Sequence, residues 1–151
     1  MAKIDKSIEI DVSREQVFEA LTDLDLLPIW STITVETHGT PRKPIEQGDR
    51  FVQTLRVLGR NLESNWEVTQ LERPQRVAYS SEAPGGGMLR MVQTVEQADE
   101  GSRVAVELDY ELPGGLVGEL FDSAYAERRN ERELEHSLHN LKELVEARAA
   151  R

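Results

Sequence analysis

Apolar and charged residues alternate along residues 3–12, with Ile4, Ile8, Ile10 and Val12 on one side and Asp5, Glu9 and Asp11 on the other. Successive side chains of a strand point to opposite faces, so a period of two marks a half-buried strand. At Ser13 the pattern changes. Ser13 and Gln16 have capping-box spacing, and Val12 and Val17 stand where a hydrophobic staple closes over a first helical turn. Val17, Phe18 and Leu21 give this short helix its apolar side. A second short helical or turn segment is expected over Asp23–Trp30, interrupted by Pro28.

The middle of the chain reads as strands separated by turn residues. Ile33–Thr37 is the first, followed by a loop holding Pro41, Pro44 and Gly48. Arg50–Leu58 and Asn61–Leu71 flank Gly59-Arg60, a tight-hairpin signal because glycine takes positive φ at little cost. Pro74 precedes a strand at Arg76–Ser81, and the Pro84-Gly85-Gly86-Gly87 run precedes another at Met88–Gln97. Asp99-Glu100-Gly101 then turns into Arg103–Leu112, where Val104, Val106, Leu108, Tyr110 and Leu112 share a face opposite Glu107, Asp109 and Glu111. Pro113-Gly114-Gly115 ends the strands. Residues from Leu116 to Glu146, rich in Ala, Leu, Glu and Arg, form a helix roughly 45 Å long, enough to run the length of a sheet.

With 151 residues and no internal repeat or long linker, the chain fits a single domain spanning 1–151. There is no cysteine, which removes disulfides, thiolate metal sites and cysteine nucleophiles. The net charge of −10 repels phosphate backbones and anionic lipid, so neither nucleic-acid binding nor stable membrane attachment is expected. The first ten residues alternate charge and apolar groups instead of forming a signal peptide's apolar run. No stretch approaches the roughly 20 apolar residues that cross a bilayer. A cytoplasmic location is expected.

The order of strand, two short helices, six strands and long helix resembles the START-related superfamily (SRPBCC), which includes polyketide cyclases, lipid-transfer domains and the birch-pollen-allergen fold. The segment IEIDVSREQVFEALTDLDLLPIW is similar to that family's opening strand, helix pair and tryptophan. NWEVTQLERPQRVAYSS resembles its strand–proline–strand hairpin, and EQADEGSRVAVELDYEL its last hairpin before the long helix. The resemblance covers nearly the whole chain and implies an α+β helix-grip fold: a curved antiparallel sheet of about seven strands around a long C-terminal helix. It also implies a cavity between sheet and helix, in which family members bind lipids, sterols or aromatic polyketides, or catalyse cyclisation or dehydration. None of these motifs is catalytic, and a fold does not fix a function.

Residues spaced 100° apart put Leu116, Leu120, Ala124, Leu134, Leu138, Leu141 and Val145 on one stripe of the long helix. Glu127 and Glu131 fall within it, with Arg128 at its edge. A carboxylate in that position is paired, neutralised or wetted. Two readings are open: a polar floor in an apolar cavity, or a helix face that clears the sheet and is solvated. On the strands, Trp66, Tyr79, Gln93, Leu108 and Tyr110, together with Leu120, Ala124, Glu127 and Glu131 of the helix, are the candidate ligand-lining residues. Aromatic walls with a few hydrogen-bonding points are the usual makeup of a small-molecule site. Each of these aromatics, taken alone, also suits an ordinary core position.

Glu127, Glu131, Tyr79 and Tyr110 are the candidates for acid–base chemistry, since two carboxylates one helical turn apart can couple. His136 and His139 have ligand-like spacing but point away from the apolar stripe and lack a third partner; no metal and no cofactor is expected. Gly85-Gly86-Gly87 lies between two antiparallel strands, so it lacks P-loop context. Three functions are consistent with the sequence: a non-catalytic binder or carrier of a hydrophobic small molecule, a polyketide cyclase or dehydratase, and a cochaperone-like interaction module. The first needs only a cavity and an entrance, and is preferred.

Overall fold

In the computed structural model, residues 2–57, 60–83, 87–111 and 124–150 are described. Strand β1 (Ala2–Ile10) leads into α1 (Arg14–Leu21), a 3₁₀ turn (Leu24–Leu26) and α2 (Leu27–Trp30). Strands β2 (Thr34–His38), β3 (Arg50–Val57), β4 (Arg60–Glu72), β5 (Arg76–Ala83), β6 (Gly87–Ala98) and β7 (Gly101–Glu111) follow, and helix α3 (Ala124–Ala149) closes the described fold. The expected fold class is therefore the observed one. The start of the expected long helix, residues 116–123, lies outside the described residues, as do the tips of the two hairpins at 58–59 and 84–86.

The helix starts where local chemistry allows. The Ser13 hydroxyl oxygen accepts from the Gln16 backbone N–H at 3.4 Å, and the same hydroxyl donates to the Gln16 side-chain oxygen at 3.1 Å. Val17, Phe18 and Leu21 of α1 are buried, as their spacing requires.

All seven strands form one antiparallel sheet in the order β1-β7-β6-β5-β4-β3-β2. Six strands thus run as a meander, and β1 joins it beside β7. Register shifts between Thr34 and Glu36, and between Val68 and Gln70, break the ladders of β2–β3 and β4–β5. Such bulges bend a strand and add twist, which lets the sheet curl. At the β1–β7 seam the backbones come close: a Cβ on Gly101 would strike the Ile10 carbonyl oxygen, so that position requires glycine. Next to it, the Ser102 hydroxyl donates to the Val12 carbonyl at 3.0 Å and fixes the exit from β1.

The core lies between the concave sheet face and the helices. Leu138, Leu141 and Val145 of α3 join Ile10, Phe18, Trp30, Val95 and Val104 in one buried cluster. Polar clips hold α3 in place on both sides. Toward α2, the Ser137 hydroxyl accepts from the Thr32 N–H at 2.9 Å, and the Asn140 amide donates to the Trp30 carbonyl at 3.3 Å. Toward β1, Lys142 donates to the Glu9 carbonyl at 3.1 Å, and a Glu146 oxygen accepts from the Asp11 N–H at 3.0 Å.

Candidate functional site

The strand registers bring the sequence-predicted residues of the sheet onto one concave surface. Trp66 on β4 sits between Phe51 of β3 and Ser81 of β5. Two residues further along β5, Tyr79 lies between Val68 and Met91. Gln93 on β6 is flanked by Val77 and Val106, and Leu108 on β7 by Met91 and Ile4. Trp66, Tyr79 and Gln93 are all buried, and Leu108 is half-buried. Tyr110 pairs with Leu89 and Ala2 through the backbone, while its side chain lies outside the described residues, as do those of Ala124 and Glu127 and the whole of Leu120.

Phe51, which the sequence pattern did not single out, completes an aromatic group with Trp66 and Tyr79. Its ring meets that of Tyr79 edge-on, with centroids 5.9 Å apart and planes at 84°. This is the geometry that aromatic quadrupoles favour. Burial pushes the Tyr79 phenol far above its ordinary pKa, against a small opposing pull from the Arg73 charge. Tyr79 is therefore a neutral hydroxyl at any physiological pH.

The polar groups on this surface divide into two kinds. Ser64 and Ser81 share a hydrogen bond at 2.6 Å, and the Thr34 hydroxyl donates to the Gln53 side-chain oxygen at 2.9 Å. Those pairs satisfy one another. The Trp66 indole N–H and the Gln93 side-chain oxygen, by contrast, are buried without a partner. The Gln93 amide nitrogen reaches only the Met91 sulfur, at 3.4 Å. An unsatisfied buried donor or acceptor costs about 1–3 kcal/mol, so two on one surface call for a reason.

Among the described residues, charge on the inner face of the sheet is concentrated at Lys6. It occupies the same side of β1 as Ile4 and Ile10, opposite Val106, with its side chain 28% exposed. Its ammonium meets Glu135 of α3 at 2.8 Å and Glu131 at 3.8 Å. The hydrogen bond to Glu135 is the main reason the Lys6 pKa is raised, and the same bond to Lys6 lowers that of Glu135. Glu131, read from the helical stripe as a carboxylate in need of company, is half exposed and has it in Lys6. In the sequence, the signal for Lys6 was its phase: it stands in step with Ile4, Ile8 and Ile10.

His139 is exposed and lies 3.2 Å from Glu143; His38 is likewise exposed, 3.0 Å from Glu36. Among the described residues no cluster of three or more His, Asp or Glu side chains is placed to hold a metal ion. Surface depressions among the described residues include the following pair. One, of about 460 Å³, reaches Phe51, Trp66 and Ser81 but is otherwise lined largely by the opposite side of those strands, including Arg50, Asn65 and Glu67. The other, about 890 Å³, follows the polar side of α3 along Arg128, Arg132, His136 and His139.

The family described as polyketide cyclase/dehydrase and lipid transport matches residues 1–146. No curated protein matches the chain significantly. Among solved structures, the chain is similar to TTHA0849 from Thermus thermophilus, with a TM-score of 0.78 and 21% identity over 97% of this chain and 98% of that one. It is also similar to a START superfamily protein from Mycobacterium smegmatis, with a TM-score of 0.76 and 15% identity over 96% and 97% of the two chains. The protein Ara h 8.0201 gives 0.71 and 13% over 97% and 98%. At these identities the likenesses establish the fold, which is the helix-grip fold.

Proposed function

The chain belongs to the polyketide cyclase/dehydrase and lipid transport family, and from that premise we propose that it binds and carries a hydrophobic small molecule between the concave sheet face and α3. The observation that carries this reading is the wall formed by Phe51, Trp66, Tyr79 and Gln93, in which the Trp66 indole N–H and the Gln93 side-chain oxygen are buried without protein partners. A wall of this kind offers apolar area for affinity and a few directional groups for orientation. Trp66, Tyr79, Gln93 and Leu108 form the floor of the proposed site; Tyr110, Leu120, Ala124 and Glu127 remain proposed members. Glu131 sits at the Lys6 edge.

Carriage in an aqueous compartment, the cytoplasm, completes the reading. Among the described residues no helix is long and apolar enough to cross a membrane. A cyclase or dehydratase reading needs, besides a cavity, a base and an acid converging on one reacting atom. The described groups lend it less support: Tyr79 gives up its proton only at very high pH, and the Glu131 carboxylate is directed at Lys6. Among the described residues, the large exposed apolar ones, Ile29, Val35 and Met88, lie on three different elements and give an interaction module little to stand on.

Native mass spectrometry of the full chain purified from its own host tests the proposal. A retained small molecule, released on denaturation, is expected. Bare protein in repeated preparations, combined with no uptake of added N-phenyl-1-naphthylamine, contradicts it.

A further inference from the structure

Four buried polar atoms among the described residues have no partner: Trp66 Nε1, Gln93 Oε1, Trp30 Nε1 and Arg14 Nε. The last two belong to α2 and α1. The first two lie on the concave sheet face, one a fixed donor and the other an acceptor. Trp66 is 5% and Gln93 3% exposed, so bulk water does not meet the need of either. The Met91 sulfur favours this Gln93 orientation: turning the amide over would place its oxygen against the sulfur, where no donor exists, and lose the 3.4 Å contact.

Their placement sets a span. Trp66 pairs with Ser81, and Gln93 pairs with Val77, four residues along β5 and on its other side. With strands about 4.8 Å apart and about 3.3 Å per residue, the two α-carbons are about 16 Å apart along the sheet. Tyr79 lies midway, and the curl of the sheet draws the side chains closer together. Between them stand Val68 and Val77, both fully buried, and the half-buried Met91, all of them apolar.

Resting on the carrier reading above, we infer that the ligand is an uncharged, elongated and largely apolar molecule with a hydrogen-bond acceptor at one end and a donor at the other. Its carbonyl-type oxygen takes the Trp66 N–H, and its hydroxyl gives a proton to Gln93 Oε1. Charge is selected against because the ammonium at this face, Lys6, is already held by Glu135 and Glu131. A carboxylate ligand would have to displace them.

Isothermal titration with a matched set of probes tests this. 2-Acetyl-6-hydroxynaphthalene carries both groups, 2-ethyl-6-hydroxynaphthalene lacks the acceptor, 2-acetyl-6-methoxynaphthalene lacks the donor, and 6-hydroxy-2-naphthoate is charged. The first is expected to bind about tenfold more tightly than either neutral analogue, the difference made by one buried hydrogen bond. The naphthoate is expected to bind weakest. Trp66→Phe should erase only the preference for the acetyl group, and Gln93→Leu only that for the hydroxyl. Without any probe, Gln93→Leu should melt at or above the wild-type temperature, because it removes an unpaired polar atom from the interior. Equal binding of all neutral probes, tightest binding of the naphthoate, or a large fall in the melting temperature of Gln93→Leu overturns the inference while leaving the carrier reading intact. Failure of every neutral probe to bind overturns both.

Discussion

Lys6 of β1 and Glu135 of α3 meet at 2.8 Å across the edge of the concave face. This contact holds the helix over the first strand at the point where the sheet's inner row ends in a charge. The mutual shifts of the two groups fix its pH behaviour. Glu135 is lowered, so its contribution is present above its unfolded pKa and lost as pH falls through the folded value. Lys6 is raised above 10.5, so its contribution is present below that value and lost as pH rises through the folded pKa. Glu146, lowered first by Lys142 and then by the Asp11 N–H, adds to the acid limb.

Glu135→Gln is therefore expected to lower the melting temperature slightly at neutral pH and by less at acid pH, as the wild-type carboxylate takes up its proton. In about 1 M salt the neutral-pH difference should shrink, since exposed charges are screened over about 3 Å there. Thermal melts across pH and salt check this. An equal loss at both pH values would assign the effect to packing.

Leu141 is fully buried on the face of α3 that meets the sheet. Leu141→Ala is expected to cost about 2–5 kcal/mol, the usual range for a core leucine whose surroundings collapse only in part. Urea unfolding measures it. A cost below about 1 kcal/mol would mean that α3 contributes little to the core, against the range just given.

Ser64 and Ser81 share a hydrogen bond at 2.6 Å, both nearly inaccessible to solvent, and the Ser81 hydroxyl also donates to the Glu82 carbonyl at 3.4 Å. Ser81→Ala should cost about 1–3 kcal/mol by stranding the Ser64 hydroxyl, Ser64→Ala should cost less because Ser81 keeps that carbonyl, and the double substitution should cost less than the sum. A double-mutant cycle reads the coupling directly. Strict additivity would show that the two hydroxyls find other partners.

The strands were readable in the sequence where one face is wet and the other dry. Val104, Val106 and Leu108 alternate with Glu107 and Asp109 so regularly that β7 needed no further information, and Trp66, Tyr79 and Gln93 were placed on one surface by the same logic. Lys6 escaped notice because a lysine in phase with isoleucines reads as an interruption of the pattern. Its long stem lets it lie on an inner face while its head finds carboxylates. Those carboxylates belong to a helix at the other end of the chain, as does Ser137, the partner of Thr32. Periodicity reports which way a side chain points and is silent on what stands opposite. The need of Glu131 for a partner could be stated from the helical wheel; the partner's identity required the fold.

If the concave face under α3 admits a small apolar molecule, Trp66 reports its arrival. Titration of N-phenyl-1-naphthylamine into Trp30→Phe protein, followed by Trp66 emission, is expected to give quenching that saturates at one probe per chain and is competed away by 2-acetyl-6-hydroxynaphthalene. Quenching that rises linearly without saturation, or Trp66 emission that the probe leaves unchanged, would contradict binding at that face.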